Sequence, residues 1–200
     1  MAKATKITKV TKAGKKSATG KTIKATDKKA MTPGKKTPAA KKTPTGDKAS
    51  LDGMFRDAVA QNEEFRISEA DDYDVAIEHF NKIMRRLETI LAIDSEYRDA
   101  INYKGMMLVG CGNNSEAVEC FEAILKVNPS DKEALNNKGI ALYGLGKDKE
   151  ALKCVDSAIA LDNRYPDAYM NKAVILHAMG RYDEADKIVR KARMLDVITG

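Results

Sequence analysis

The chain contains few of the residues that usually carry catalysis, metal binding or cross-linking. Its 200 residues include no tryptophan, two histidines, three cysteines and five prolines, and 6% of them are aromatic. The cysteines show neither the spacing of a zinc site nor the even count of a disulfide framework, which favours a reducing compartment. Two histidines without clustered partners do not supply the nucleophile, base or metal ligands of an active site. We therefore predict no catalytic residue, no cofactor and no metal site, and a protein that is not an enzyme.

Long apolar stretches are also missing. No uninterrupted apolar run is long enough to span a bilayer, and residues 1–10 lack the apolar core of a signal peptide. We expect a protein without a transmembrane segment, located in the cytoplasm, or in the nucleoid or nucleus if its basic segment binds nucleic acid.

Acidic and aromatic residues are almost absent from residues 1–50. This segment has fifteen lysines, no arginine, no aromatic residue and two acids, Asp27 and Asp47. Its net charge is therefore +13, which leaves −7 for residues 51–200 out of the chain's +6. A segment with so little apolar surface cannot offset the entropy lost on ordering. We predict a disordered Lys/Thr/Ala/Pro-rich basic tail over residues 1–50.

Residues 98–200 repeat themselves at an offset of 34 residues. A fixed offset of this length indicates a repeated supersecondary unit. The matching sets are Lys104, Lys138 and Lys172; Gly105, Gly139 and Ala173; Leu108, Leu142 and Leu176; Gly112, Gly146 and Gly180; Glu116, Glu150 and Glu184; Ala117, Ala151 and Ala185; and Val127, Leu161 and Leu195.

Each unit is predicted to be two amphipathic helices that meet at a glycine. Apolar residues recur three or four positions apart on both sides of Gly112 and its equivalents. Glycine ends a helix in the left-handed conformation at little cost. We also expect the small pair Gly105 and Ala117 to let the two helices of a unit approach closely.

This pattern resembles the tetratricopeptide repeat, a 34-residue unit of two helices. The large apolar residue that opens the motif is present as Ile101, Leu135 and Tyr169, and the motif's aromatic position holds Phe121, Val155 and Val189. The motif's proline is kept only at Pro129. The resemblance implies an all-α fold, a right-handed solenoid of helical hairpins with about three repeats. The units are residues 98–131, 132–165 and 166–200.

Residues 51–97 are predicted to form a degenerate hairpin that caps this array. Its second helix, residues 74–93, keeps the 34-residue register, whereas its first helix, roughly residues 51–65, does not. An array needs an atypical end because a bare repeat face would expose apolar surface. At the other end, either the last helix is polar enough, or it docks onto a partner or a second copy of the chain.

The resemblance also implies that the first helix of each unit lines a concave groove. Amides among apolar and aromatic groups suit a peptide or an amphipathic helix, although several of these side chains can equally serve packing between helices. The expected groove residues are Asn102, Tyr103, Met106, Asn136, Asn137, Ile140, Tyr143, Met170, Asn171, Val174 and His177.

One specialised use of the family is not expected in this chain. The family's clamp for acidic chaperone C-termini uses lysine and asparagine from the first helix, asparagine from the second, and lysine and arginine from the third. The positions are held here by Asn102, Met106, Asn137, Asp167 and Asn171. Only Asn137 fits that clamp.

The tail offers a second binding element, with lysine pairs and Thr-Pro steps that resemble histone-like tails. Spaced lysines neutralise phosphates without reading sequence. The alternative ligands of the tail are DNA, RNA, ribosomes, an anionic membrane and the chain's own acidic segment 63–78.

The leading hypothesis for the whole chain is a protein-interaction adaptor with loose electrostatic attachment through the tail. The alternative is a nucleic-acid-associated protein whose tail binds DNA or RNA and whose array dimerises or recruits. The tail lysines singled out are Lys15, Lys16, Lys28, Lys29, Lys35, Lys36, Lys41 and Lys42.

Overall fold

The computed structural model describes residues 47–68 and 73–199, with side chains at 47–63 and 74–195. Within these ranges the regular structure is helical, as predicted. Each helix packs against the next along the chain, which builds a solenoid of four hairpins. The helices are α1 (Lys48–Ser68), α2 (Tyr73–Ile93), α3 (Arg98–Gly110), α4 (Asn114–Val127), α5 (Lys132–Gly144), α6 (Asp148–Leu161), α7 (Pro166–Ala178) and α8 (Tyr182–Thr199).

Glycine ends the first helix of every repeat, which confirms the prediction. Gly112, Gly146 and Gly180 have φ of 77°, 73° and 75°, the left-handed region that disfavours other residues. The Gly112 N–H donates to the Val109 carbonyl at 2.9 Å, and the next N–H donates to the Leu108 carbonyl at 2.9 Å. This pair of bonds is the Schellman motif, which satisfies carbonyls that the helix end leaves open.

Close approach within a hairpin leaves no room for a Cβ on the glycine of its first helix. A Cβ built on Gly105 would lie 2.7 Å from two ring atoms of Phe121. In the next unit, a Cβ on Gly139 would meet Val155 Cγ2 at 2.5 Å and the backbone oxygen of Ala151 at 3.1 Å. Gly139 and Ala151, the predicted small pair of that unit, therefore lie close together. The Phe121 ring is fully buried and fills the space that Gly105 leaves.

The predicted boundary of the tail at residue 50 differs from the start of α1 at Lys48. The helix begins earlier because the Asp47 carboxylate accepts a hydrogen bond from the Ser50 N–H at 2.9 Å, the contact of an N-cap. The division of the chain into a tail, a cap over 51–97 and three repeats remains a prediction.

The first hairpin joins the repeats through apolar and aromatic contacts. Leu51 and Leu87 are buried in the same core cluster as Phe121. The Phe55 ring packs against Tyr97 and Tyr103, with ring centroids 5.9 and 5.8 Å apart. The first hairpin therefore shares the hydrophobic core of the first repeat.

Consecutive repeats are joined by a recurring ion pair. Lys138 on α5 contacts Glu122 on α4 at 2.8 Å, and Lys172 on α7 contacts Asp156 on α6 at 2.6 Å. Both pairs use the same two positions, 34 residues apart. The lysine that marks the repeat thus links the second and third units to the second helix of the preceding one.

The outer face of α8 is polar where its counterparts are apolar. Leu152 and Ile159 of α6 pack against the core that includes α7 residues. The matching residues of α8 are Asp186 and Arg193, and both are exposed. A charged face needs no apolar cover, so the structure offers no support for self-association here.

No helix of the described ranges combines the length and the apolar composition that a membrane span requires.

Candidate functional site

A cleft runs along the first helices of the three repeats. α3 lies beside α5, and α5 lies beside α7, so their exposed faces form one surface. The cleft has a volume of about 350 Å³. Its lining residues are Asn102, Met106, Glu133, Asn136, Asn137, Ile140, Tyr165, Asp167, Met170 and Asn171.

Four asparagines form a hydrogen-bonded ladder across this surface. Asn137 donates through Nδ2 to the Asn102 oxygen at 2.9 Å, and Asn171 donates to the Asn136 oxygen at 2.9 Å. Asn136 in turn donates to Asn137 at 3.3 Å. Asn136 is 3% exposed, a buried polar residue that these bonds satisfy. The ladder ties the three first helices together and leaves amide groups at the surface of the cleft.

Apolar side chains stand beside the ladder. Met106 and Met170 are 50% and 43% exposed, and Ile140 lies between them along the array. Val174, one turn further along α7, is 49% exposed. Methionine is flexible and polarizable, so it adapts to differently shaped partners.

Seven of the eleven predicted groove residues line this cleft. They are Asn102, Met106, Asn136, Asn137, Ile140, Met170 and Asn171.

The other four predicted groove residues do not line the cleft. Tyr103 packs against α1, where its hydroxyl accepts a hydrogen bond from Asn62 at 2.8 Å. Tyr143 is half-buried against the core of the second repeat. Val174 and His177 are exposed, and the His177 ring contacts Tyr182 with centroids 4.9 Å apart. The packing alternative therefore applies to Tyr103 and Tyr143.

Two residues of the cleft were missed by sequence reasoning, Glu133 and Tyr165, and a third, Asp167, was named only as a position of the family's clamp. Glu133 and Asp167 match Asp99 at the 34-residue offset, so the signal was present in the repeat. An acid in the first turn of a helix also has a local explanation, the helix dipole, which makes this signal easy to overlook.

Arg98 organises the acidic groups at one end of the cleft. Its guanidinium binds both carboxylate oxygens of Asp131, at 2.9 and 3.0 Å, and contacts Asp99 at 2.9 Å and Glu133 at 2.5 Å. Burial raises the pKa of Asp131, but the bonds from Arg98 and from the Ala134 N–H lower it more, so the net pKa lies below its usual value. Asp131 is thereby held ionised at the N-cap of α5.

Tyr165 lies among these carboxylates. Burial, followed by the charges of Asp167 and Glu133, raises its pKa to about 12. Lys132 stands over the ring at 5.5 Å, but it is itself bonded to Asp162 at 2.6 Å. The tyrosine therefore stays neutral and serves as a hydrogen-bonding group.

The histidines and cysteines form no reactive arrangement among the described residues. Cys111, Cys120 and Cys154 are free, and burial raises the pKa of each thiol. His79 lies on α2, away from the cleft, and burial together with Lys82 lowers its pKa. No group of potential metal ligands occurs in the described part of the chain.

A second cleft, of about 730 Å³, lies where the α2–α3 and α4–α5 loops meet. It is bordered by Ile101, Ile124 and Val127 together with charged loop residues. None of the predicted groove residues lines it.

The tail lysines lie outside the described residues, as do most side chains of the acidic segment 63–78. The predictions made for them are not addressed by the structure.

Comparison with known proteins agrees with this architecture. The chain matches the tetratricopeptide repeat family over residues 104–166 and again over residues 166–196. A comparison with curated protein sequences finds no match.

Solved structures with the same fold include several of MamA. Residues 41 to the end of MamA from Desulfovibrio magneticus RS-1 align with 14% identity and a TM-score of 0.58, covering 76% of this chain and 78% of that one. MamA MSR-1 aligns with 20% identity and a TM-score of 0.54, covering 74% and 91%. A further MamA crystal structure aligns with 19% identity and a TM-score of 0.55, covering 72% and 74%.

Identities this low establish the fold alone. Solenoids of this class present extended concave surfaces that act as scaffolds for binding other proteins. The 34-residue register, the glycine-terminated hairpins and the family match together show that residues 104–196 are tetratricopeptide repeats.

Proposed function

We propose that the chain is a protein-interaction adaptor whose groove binds a peptide segment or an amphipathic helix of a partner. The observation that supports this most is the exposure of Met106 and Met170 beside the asparagine ladder. Soluble proteins rarely leave such groups side by side on a concave surface unless a partner covers them.

The groove has the two features that peptide recognition needs. Asparagine amides donate to and accept from a peptide backbone, and the neighbouring apolar side chains receive the ligand's side chains. Asn137 and Asn171 each have two amide hydrogens and use one within the ladder. The second hydrogen is available to a ligand.

A matched pair of substitutions tests the groove. Met170→Glu places a charge in the cleft, whereas Met194→Glu places the same charge on α8, where the methionine is 66% exposed and lies outside the cleft. We expect partner capture from native lysate to be lost with Met170→Glu and kept with Met194→Glu, while both variants unfold at similar temperatures. Equal capture by both variants would contradict a role for the groove.

A second function is favoured by the distribution of charge. The first fifty residues carry +13 while the rest carries −7, so attraction to a polyanion must come from the tail. We propose that the tail attaches the adaptor loosely to nucleic acid, ribosomes or an anionic membrane.

Salt dependence tests this attachment. Binding of a labelled duplex DNA or RNA is expected to fall steeply between low and physiological salt, because neutralised phosphates release counterions. The full chain with Lys15, Lys16, Lys28 and Lys29 changed to glutamine should show a smaller salt slope. Partner capture that disappears after nuclease treatment would make nucleic-acid attachment the main function.

A further inference from the structure

A row of carboxylates lies along one edge of the groove, where α3, α5 and α7 begin. Asp99, Glu133 and Asp167 occupy matching positions in the first turn of these helices. The side chains of Asp99 and Glu133 are 54% and 47% exposed, and Asp167 is also exposed. An acid at this position stabilises its helix. Three in succession also give one edge of the groove a negative charge.

The groove supplies too few cations to neutralise this row. Arg98 is shared among Asp99, Asp131 and Glu133, so one positive charge faces three negative ones. Asp167 forms no ion pair with the described residues. The residues that line the cleft include no lysine and no arginine. An occupant that carries positive charge beside small apolar groups therefore fits this groove best.

The lysine-rich segment of the chain joins the fold at the same edge. α1 begins at Lys48, and near its start Asp52 accepts a hydrogen bond from the Tyr97 hydroxyl at 2.5 Å. Tyr97 is the residue immediately before α3. The chain that precedes Lys48 therefore leaves the array beside the N-terminal end of α3, where the acidic row begins.

We propose that residues 35–46 of the same chain lie along the acidic edge of the groove in the free protein, so that a partner must displace them. This rests on the proposed function, because the segment would occupy the surface assigned to the partner. Two pairs of lysines, residues 35–36 and 41–42, match the two carboxylates that line the cleft, Glu133 and Asp167.

The available length of chain is sufficient. Neighbouring helices pack about 8–10 Å apart, so Glu133 on α5 and Asp167 on α7 lie roughly 20 and 30 Å from α1. An extended chain advances about 3.3 Å per residue. The six residues from Lys41 to Asp47 and the twelve from Lys35 to Asp47 therefore span roughly 20 and 40 Å at full extension.

Charge supplies the attraction, so the contact is sensitive to salt. The ion pairs lie at the surface, where screening acts over about 8–10 Å at ordinary ionic strength. A weak contact of this kind suits a competitor: a partner that also fills the apolar part of the groove displaces it.

Methionine-methyl NMR of the full chain tests the proposal. The methyl groups of Met106 and Met170 report on the groove, and that of Met194 on α8 is the internal control. We expect the two groove signals to shift when Lys35, Lys36, Lys41 and Lys42 are changed to glutamine, and when the unchanged chain is moved to about 0.5 M salt, where screening is strong. The Met194 signal should stay in place.

Variants of the array identify the site. Glu133→Gln with Asp167→Asn is expected to abolish the difference that the lysine substitutions make. Glu116→Gln with Glu150→Gln is the matched control, because both are exposed first-turn acids on second helices and lie outside the cleft. The control pair should leave the difference intact.

Three outcomes would overturn the proposal. If the methyl signals of Met106 and Met170 do not shift with the lysine substitutions, the segment does not reach the groove. A control pair as effective as the groove pair would show that only overall charge matters. Signals that move on tenfold dilution of the chain would show that a second copy supplies the segment. In each case, loss of partner capture with Met170→Glu would still support the proposed function. The two hypotheses can therefore be refuted independently.

Discussion

Replacing Gly105 by alanine should destabilise the array, although the same change usually stabilises a helix. The added methyl group would lie 2.7 Å from Cε1 and Cζ of Phe121, closer than such contacts ever come. The ring is fully buried and cannot swing into solvent. Overpacking a core costs roughly 1–3 kcal/mol, while alanine gains about 1 kcal/mol of helix propensity over glycine. We expect a net loss of up to about 2 kcal/mol from the free energy of unfolding.

Gly53→Ala provides the control for this prediction. Gly53 lies within α1, and nothing stands within 4 Å of a Cβ built on it. This variant should gain about 0.5–1 kcal/mol. Urea denaturation followed by helical circular dichroism measures both, and the melting temperature of Gly105→Ala should fall by up to about 8 °C in a chain of this size.

A double variant separates the clash from other effects. Valine does not by itself remove the clash, because in the second repeat Val155 Cγ2 lies 2.5 Å from a Cβ built on Gly139. Truncating Phe121 to alanine removes the ring atoms that the added methyl group would meet. In a Phe121→Ala background, Gly105→Ala should therefore cost less than it does alone, and a double-mutant cycle gives the difference. The reasoning is refuted if Gly105→Ala stabilises the unmodified chain as much as Gly53→Ala does.

Four further predictions concern three side chains, Asp131, Lys138 and Cys154. Asp131→Ala should lower the free energy of unfolding by about 1–2 kcal/mol because it removes the N-cap of α5, and Asp131→Asn should cost less because its amide oxygen still caps the helix; urea titrations compare them. The pKa of Asp131 is lowered in the folded state, so the stability that its ionised form contributes is complete above about pH 4. This contribution is lost as the pH falls below that value. The free energy of unfolding of Asp131→Asn should not show this loss when it is measured against pH. Lys138→Met should cost less than about 1 kcal/mol, measured in the same way, because its ion pair with Glu122 is partly exposed. Cys154 should react slowly with a thiol reagent at about pH 8 in the folded chain and quickly in urea, because burial raises its pKa; equal rates would contradict this.

The repeats could be predicted from the sequence because their information is local and occurs three times. The offset of 34 residues aligned Gly112, Gly146 and Gly180, and each of these glycines ends a helix in the left-handed conformation. A glycine followed by a new amphipathic pattern has one common structural meaning. Repetition made that interpretation secure without any knowledge of tertiary contacts.

The side-chain contacts across repeats could not be predicted in the same way. Tyr103 was expected in the groove because it occupies the same position of the repeat as Asn137 and Asn171. Its actual neighbours are Phe55 and Asn62 on α1, a helix that does not share the 34-residue register. A repeat pattern carries no information about the atypical hairpin at its end, so contacts made with that hairpin remain hidden.

The side chain that lies nearest to Gly105 could not be predicted from size. Gly105 was matched with Ala117 because both are small and lie on the two helices of one unit. The structure adds Phe121, four positions further along α4, whose ring is nearest to a Cβ built on Gly105. Helix periodicity places Ala117 and Phe121 on one face of α4, and the packing angle decides which of them lies nearer.

The asparagine ladder suggests how the array can hold itself together and still bind a ligand. In each repeat, the residue at position 103, 137 or 171 bonds to the preceding first helix: Tyr103 through Asn62, Asn137 through Asn102 and Asn171 through Asn136. Asn137 and Asn171 therefore hold neighbouring helices together and also line the surface that a ligand would contact. Replacing Asn137 or Asn171 by alanine would weaken both at once, because it leaves a partner amide in the cleft without its bond.

Met170 does not carry this double role. Met106 and Met170 are half exposed, lie in the cleft and belong to neither of the buried core clusters. Met106 accepts a weak hydrogen bond from Asn102 of the ladder, with 3.8 Å between Nδ2 and Sδ. A substitution of Met170 therefore changes the surface that a ligand meets while leaving the ladder in place. If binding depends on the groove, the loss caused by Met170→Glu should come without loss of stability, whereas Asn171→Ala should lower both. Parallel measurement of unfolding and capture for these two variants separates recognition from cohesion within one surface.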